Sequence, residues 1–113
     1  MHELSVTEGI LKICLDEEKK HNFKKVKNIK IKVGELTGLI PSCISYYFDI
    51  VSKNTVAEGA EIKVEKIPVI IYCNDCDYKG ELEERKYDCP SCKGNNYKII
   101  GGKEFYLDTM EVE

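Results

Sequence analysis

Two Cys-x-x-Cys pairs constrain the fold of this chain more than any other feature of its sequence. Cys73 and Cys76 form the first pair, Cys89 and Cys92 form the second, and twelve residues separate the two pairs. Thiolates at this spacing can reach one ion, because the turn between them brings both sulfurs to the same side of the loop. Two such turns facing each other predict a closed tetrahedral shell of four thiolates, which suits a structural Zn²⁺ ion best.

Other uses of the four thiols fit the sequence less well. Disulfides belong to oxidising compartments, and residues 1–20, which begin MHELS, show no basic region, no long apolar stretch and no small-residue cleavage site of a secretory signal. A redox Cys-x-x-Cys usually occurs singly, at the start of a helix that follows a strand. The sequence alone does not exclude iron bound by the four thiolates, and zinc is the ion that we predict.

The segment around the cysteines is too short to fold on apolar burial alone. Metal binding would supply its folding free energy, on the order of 10–16 kcal/mol for structural zinc in small peptides. We therefore predict a zinc-binding unit over residues 67–102, called the four-cysteine module below. It interrupts an α/β domain that comprises residues 1–66 and is completed by a strand over residues 103–113.

Hydrophobic periodicity predicts the order helix, strand, helix, strand, four-cysteine module, strand. Ser5 and Glu8 resemble a capping box at the start of the first helix, and Asn22 can end it. Pro68 limits sheet pairing before the module, and the glycines at 101 and 102 are expected to form a linker after it. The predicted elements are a helix over 5–20, a strand over 26–33, a helix that begins at Pro41, and strands over 61–65 and 104–112.

These elements predict an α+β fold, with two helices on a three-stranded mixed sheet and an inserted zinc-ribbon-like four-cysteine module. On the first helix, the apolar stripe contains Val6, Ile10, Ile13 and Cys14, and core packing is the expected role of the Cys14 thiol. On the first strand, Ile29, Ile31 and Val33 are expected to face the core, with Lys30 and Lys32 on the solvated face.

Composition excludes some classes of function. The net charge is −3, with 17 basic and 20 acidic side chains, which argues against a general nucleic-acid binder. No run approaches the length of a membrane span, so we expect a cytoplasmic protein. Four thiolates leave no position for an activated water, and no nucleophile–base pair stands out, so we do not expect an enzyme.

A zinc ribbon that contacts nucleic acid or another protein is the alternative function. Its strands would need exposed basic and aromatic side chains. The candidates in the module are Lys79, Arg85, Lys86, Tyr87 and Lys93, and they are offset by Glu81, Glu83, Glu84 and Asp88. This balance does not favour a surface that follows phosphates.

The N-terminus is a second possible metal-binding constellation. The α-amine of Met1, the backbone nitrogen and imidazole of His2, and the backbone nitrogen of Glu3 could wrap one ion in fused chelate rings. Nitrogen-rich sets of this kind favour Ni(II) or Cu(II). The residue types alone leave open an ordinary solvated histidine, which is also the default for His21.

Three segments, in this order and in a chain of this length, closely resemble the HypA/HybF family. Members of this family are metallochaperones that help insert nickel into [NiFe]-hydrogenases. The segments are Met1-His2-Glu3-Leu4-Ser5-Val6, the loop Gly34-Glu35-Leu36-Thr37-Gly38, and the two Cys-x-x-Cys pairs.

The resemblance implies a nickel metallochaperone with Ni²⁺ as transferable cargo and Zn²⁺ as structural ion. It implies that His2 binds nickel, with main-chain nitrogens of Met1 and Glu3. Its implied partners are a hydrogenase maturation GTPase and the precursor of the hydrogenase large subunit, and for some members urease maturation factors. It implies that Cys73, Cys76, Cys89 and Cys92 bind zinc.

The sequence departs from the family at one position. Some members use an acidic side chain from the loop after the first strand as an extra nickel ligand. Here only Glu35 is acidic in that loop, which continues Leu39-Ile40-Pro41. Glu35 or the carboxylate of Glu3 could take this place.

Overall fold

The computed structural model describes residues 3–83 and 86–113. These residues form two α-helices, a single 3₁₀ turn and six strands. The helices are α1 (Glu3–His21) and α2 (Pro41–Val51), and the 3₁₀ turn spans Glu35–Thr37. The strands are β1 (Val26–Gly34), β2 (Glu61–Ile67), β3 (Ile70–Cys73), β4 (Lys79–Glu81), β5 (Tyr97–Gly101) and β6 (Phe105–Val112).

The strands form two three-stranded sheets. The first sheet has the order β2-β1-β6 and is mixed, because β1 runs parallel to β2 and antiparallel to β6. The second sheet has the order β4-β3-β5 and is antiparallel. It lies between β2 and β6 in the chain and carries the cysteines. The predicted α+β fold with an inserted four-cysteine module is confirmed.

The core lies between the mixed sheet and the two helices. Ile29, Ile31 and Val33 alternate along β1 as predicted and are buried. They belong to one hydrophobic cluster with Ile10 of α1 and Phe48 of α2. The opposite face of the sheet is polar. There, the Oε2 atom of Glu65 in β2 forms ion pairs with the Nζ atoms of Lys30, at 3.3 Å, and Lys32, at 3.8 Å.

Helix α1 corrects two details of the sequence prediction. Ser5 does not cap the helix, because Glu3 and Leu4 are already helical and are good helix formers. The buried face runs through Thr7, Ile10 and Cys14, while Ile13 is 42% exposed. Thr7 tolerates burial because its hydroxyl donates to the carbonyl oxygen of Leu4 at 2.8 Å.

Ile13 is exposed because it lines an open apolar groove of about 640 Å³ between α1 and the first residues of β6.

The C-terminal end of α1 follows the prediction. Asn22 adopts a left-handed conformation with φ 51°, and its backbone N–H donates to the carbonyl oxygen of Glu18 at 2.8 Å. This geometry is typical of a helix C-terminus.

The glycine pair after the module is a packed crossing point, so the prediction of a linker is wrong. Gly101 ends β5, and Gly102 is buried with φ +108°. The 3₁₀ turn is bound to this segment, because the N–H of Leu36 donates to the carbonyl oxygen of Gly102 at 2.8 Å. The N–H of Gly34 donates to the carbonyl oxygen of Glu104 at 2.6 Å.

Within residues 3–83 and 86–113, neither helix combines the length and the apolar composition that a membrane crossing needs.

Pro68 and Val69 separate β2 from β3, as the sequence predicts for Pro68. The chain therefore changes from the first sheet to the second over two residues.

Candidate metal centre

The four predicted ligands lie together at one end of the β3–β5 sheet. One ligand atom from each of Cys73, Cys76, Cys89 and Cys92 lies within 4.8 Å of all the others. The Sγ atoms of Cys73 and Cys92 are 3.7 Å apart, and those of Cys76 and Cys89 are 3.6 Å apart. These distances exclude disulfides, which need about 2.05 Å. Four sulfurs about 2.3 Å from a central zinc ion would be roughly 3.8 Å apart, close to the observed spacing.

The two Cys-x-x-Cys loops have the same local fold. In the first loop, the N–H of Asp77 donates to the carbonyl oxygen of Cys73 at 3.0 Å. In the second, the N–H of Lys93 donates to the carbonyl oxygen of Cys89 at 2.9 Å. Asp77 and Lys93 both adopt positive φ, of 60° and 64°. The repeated turn points both sulfurs of each pair to one side, which is the reason for the two-residue spacing.

A second backbone hydrogen bond in each loop joins the first cysteine of the pair to the residue five positions later. The N–H of Cys73 donates to the carbonyl oxygen of Tyr78, and the N–H of Cys89 donates to the carbonyl oxygen of Gly94, both at 2.8 Å. The N–H of Gly94 also lies 3.4 Å from the Sγ of Cys92 and can donate to it. Donors aimed at sulfur stabilise a thiolate and orient it toward a cation.

The four thiols influence one another's ionisation. Burial opposes ionisation of Cys89, but hydrogen bonds from the backbone of Cys92 and Ser91 and from neighbouring thiols lower the pKa of Cys89 to about 7. The N–H of Gly94 favours the thiolate of Cys92, but the other cysteines and desolvation raise its pKa to about 12. Four thiolates are therefore stable together only around a cation, whose binding releases protons.

The donor set fits a structural Zn²⁺ ion. Cys73 and Cys89 are fully buried, Cys76 is half-buried and Cys92 is exposed. An all-thiolate tetrahedral set matches zinc, and it leaves no open coordination position for a catalytic water. Within the residues that the structure describes, this is also the only cluster of three or more potential metal ligands.

Polar side chains outside the thiolate shell hold the first Cys-x-x-Cys loop in place, and they were not predicted from the sequence. Asp75 accepts a hydrogen bond from the side-chain amide of Asn96 at 3.0 Å. Asp77 accepts one from the hydroxyl of Tyr72 at 2.6 Å, and this contact raises the pKa of Tyr72. The available signal was position, since Asp75 lies inside the first Cys-x-x-Cys and Asn96 follows the second pair.

The predicted nickel ligands His2 and Met1 lie outside the described residues. Glu3 is the first described residue of α1 and is half-buried. Glu35 lies in the 3₁₀ turn and lines a cleft of about 320 Å³ with Leu36 and with Val69, Leu82 and Tyr87 of the module. The loop after β1 thus faces the four-cysteine module along this cleft.

Comparison with known proteins agrees with the whole-chain organisation described above. Residues 1–112 match the family model "Hydrogenase/urease nickel incorporation, metallochaperone, hypA". The chain is 40% identical over 114 residues to the hydrogenase maturation factor HypA of Caldanaerobacter subterraneus subsp. tengcongensis, and 100% of each protein is covered. It is also 40% identical over 121 residues to HypA of Methanocaldococcus jannaschii, covering 100% of this chain and 98% of the relative.

Two solved structures share the fold. A solution structure of a HypA protein superposes with a TM-score of 0.74 at 24% identity and covers 100% of this chain and 97% of that one. The solution structure of the Ni metallochaperone HypA from Helicobacter pylori gives a TM-score of 0.66 at 23% identity and covers 99% and 97%. At these identities the superpositions establish the fold alone.

Proposed function

Since this chain belongs to the HypA family of hydrogenase/urease nickel-incorporation metallochaperones, we propose that it binds Ni(II) at its N-terminus. We further propose that it passes the ion to the large-subunit precursor of a [NiFe]-hydrogenase. The full-length match of residues 1–112 carries this proposal. In this role the protein is a carrier and not an enzyme.

The nickel ligands we propose are the imidazole of His2 and main-chain nitrogens of Met1, His2 and Glu3. Their support is chemical, because a set of nitrogen donors in fused chelate rings favours Ni(II) over Zn(II). Glu3 belongs to the first described turn of α1, and the N–H groups of a helix's first turn have no partner within the helix. A backbone nitrogen at this position is therefore available to a ligand.

Transfer requires that cargo leave as readily as it enters. A chelate at the end of a chain is open on one side and has no cage of side chains around it. The thiolate set of Cys73, Cys76, Cys89 and Cys92 is a closed shell in which two cysteines are fully buried. We accordingly assign labile Ni²⁺ to the N-terminus and resident Zn²⁺ to the four cysteines, where it would hold the two loops together.

The proposed partners follow from the family. We propose a hydrogenase maturation GTPase as the source or escort of nickel and the hydrogenase large-subunit precursor as recipient. Urease maturation factors are a further client class, because the family description names urease as well. These steps would take place in the cytoplasm.

Metal analysis of untagged protein tests the proposal. Purified protein would be titrated with Ni²⁺ and compared with the variant His2→Ala and with a form that carries one extra residue before Met1. Both changes are expected to abolish nickel binding, because each destroys the fused chelate, while zinc content stays at the wild-type level. His21→Ala is the matched control and should bind nickel normally.

Two results would separate the parts of the proposal. Unchanged nickel affinity in both altered proteins would reject the N-terminal site but leave the family role intact. Loss of nickel in Cys92→Ser with full retention in His2→Ala would instead assign the cargo to the thiolates.

A further inference from the structure

The cleft of about 320 Å³ between the 3₁₀ turn and the four-cysteine module exposes apolar side chains from both parts of the chain. Leu36 belongs to the turn, and Val69, Leu82, Tyr87 and Ile99 belong to the module. Leu36 is 46% exposed, Ile99 is 41% exposed and Tyr87 is 76% exposed. A concave surface that leaves large apolar side chains in contact with solvent is typical of a binding site.

Hydrogen bonds hold the lining of this cleft in place. The 3₁₀ turn is bound to the glycine pair that follows the module. On the module side, the N–H of Leu82 donates to the carbonyl oxygen of Val69 at 2.8 Å. The hydroxyl of Tyr97 donates to the carbonyl oxygen of Tyr87 at 2.7 Å. A surface that is already ordered loses little conformational entropy when it binds a partner.

The charge of the cleft comes mainly from Glu35. The other charged side chains in the described lining are Glu83 and Lys86. The Nζ atom of Lys86 lies 2.9 Å from the Oε2 atom of Glu83, so these two charges largely offset each other. The ion pairs formed within residues 3–83 and 86–113 do not include Glu35. The cleft therefore favours an occupant that carries a positive charge.

We propose that the cleft binds an arginine side chain of a partner protein, together with an apolar residue beside that arginine in the partner's sequence. The methylene stem of the arginine packs against Leu36 and Ile99. Its planar guanidinium group lies against the ring of Tyr87 and forms paired hydrogen bonds with the carboxylate of Glu35. The adjacent apolar side chain packs against Leu82.

The size of the cleft suits this occupant. Sites for small molecules and cofactors measure about 300–1,000 Å³, and this cleft lies at the lower end of that range. One long side chain and part of its neighbour fill such a volume, whereas a larger cofactor does not fit.

This docking site is separate from the proposed nickel site, and it does not depend on that site. Glu35 is one of two carboxylates considered above as an additional nickel ligand, and the proposal assigns it to the partner's arginine instead. Glu35→Gln should therefore weaken arginine binding and leave nickel binding unchanged.

NMR of methyl-labelled, full-length protein supplied with zinc tests the docking site. The probe is a capped peptide of sequence Gly-Leu-Arg-Leu-Gly, added at constant protein concentration. The methyl signals of Leu36, Leu82 and Ile99 should shift and reach saturation as peptide is added. Those of Ile13 and Leu107 should not shift, because these residues line the separate groove between α1 and β6.

Variants of the protein and of the peptide test the charge. Glu35→Gln should raise the dissociation constant of the peptide about fivefold, as expected for the loss of an exposed ion pair. Glu8→Gln is the matched control, because Glu8 is an exposed carboxylate of α1. A peptide with norleucine in place of arginine should bind about fivefold more weakly to the wild type. Circular dichroism and zinc content confirm that both variants are folded.

Three results would overturn the proposal. The absence of saturable shifts at the cleft methyl groups with millimolar peptide would reject the docking site, and so would shifts confined to the α1–β6 groove. Equal binding of the arginine and norleucine peptides would show that the occupant is apolar and needs no cation. Loss of nickel binding in Glu35→Gln would assign this carboxylate to nickel, whatever the fate of the other proposed nickel ligands.

Discussion

Gly34 and Gly102 lie in direct backbone contact at the point where the chain passes between its two sheets. A Cβ atom on Gly34 would stand 2.2 Å from the carbonyl oxygen of Gly102. That same oxygen accepts the hydrogen bond from Leu36. The contact therefore fixes both the return path from the four-cysteine module and the start of the 3₁₀ turn.

Gly34→Ala is expected to destabilise the protein by about 3 kcal/mol, at the upper end of overpacking effects. The reason is that the atoms which the methyl group would meet are backbone atoms, which cannot rotate away as a side chain can. Urea unfolding followed by circular dichroism measures the change. Gly9→Ala is the matched control.

Nothing lies within 4 Å of a Cβ added at Gly9, and Gly9 is exposed in α1. Ala there should stabilise the protein by roughly 1 kcal/mol, because Ala has the higher helix propensity. Equal effects of the two substitutions would contradict the close approach at Gly34.

The carboxylate of Glu104 is expected to make stability depend on pH. Backbone N–H groups of Glu104 itself, Gly102 and Lys103 lower its pKa from the ordinary 4.5, and the Oε1 atom lies 2.5 Å from the nitrogen of Gly102. A lowered folded-state pKa contributes stability above the unfolded value, and this contribution is lost as pH falls through the folded pKa. The wild type should therefore exceed Glu104→Gln in stability at pH 7.

The difference between these two proteins should shrink as the medium is acidified below 4.5 and toward the lower pKa of the folded state. Unfolding free energies in urea, measured at several pH values, give the comparison. A difference that grows on acidification would mean that the charge of Glu104 is unfavourable in the folded protein.

Removal of the Zn²⁺ ion that we propose for the four cysteines, by a strong chelator, is expected to unfold the four-cysteine module before the α/β part. Among its described residues, the module has few buried apolar side chains of its own, mainly Val69 and Ile71 besides its cysteines. Hydrogen exchange should show early loss of protection at the amides of Cys73 and Cys89, which close the two loops. The amides of Ile29 and Ile31 in β1 should stay protected.

Cys92→Ser should reproduce the effect of the chelator, and Cys43→Ser serves as the thiol control outside the cluster. Simultaneous loss of protection in both sheets would show that the two parts unfold as one unit.

The thiol of Cys14 is expected to resist alkylation in the folded protein. Burial raises the pKa of Cys14 to about 11, so its thiolate fraction at pH 8 is on the order of one in a thousand. The side chain also has no exposed surface. Peptide mapping after brief treatment with iodoacetamide should find Cys43 modified well before Cys14. Rapid modification of Cys14 would reveal local opening of α1.

Local signals made much of this fold predictable. Alternation from Ile29 to Val33 identified β1, Asn22 and Pro41 marked helix ends, and the spacing of the cysteines identified the module. Each of these features depends on residues close in sequence. The family resemblance then supplied the function class, which the residue types alone had left open.

Non-local packing explains what the sequence did not reveal. Thr7 can be buried because its hydroxyl is satisfied within α1, and Ile13 is exposed because β6 does not cover that side of the helix. Ser5 looked like a cap because Glu8 follows it at the spacing of a capping box. Gly102 looked like a linker because its neighbour Gly34 is distant in sequence.

The module is inserted between β2 and β6, the two strands that flank β1, and both of its connections to the first sheet lie at the same end of β1. Gly34 pairs with Ile67 on one side, and its neighbour Val33 pairs with Phe105 on the other. The chain thus leaves and re-enters the first sheet on either side of one strand, a gap of roughly 10 Å. Three or four residues could bridge that gap. With such closely spaced connections, evolution or protein engineering could exchange the metal-binding unit and leave the strand order of the first sheet unchanged.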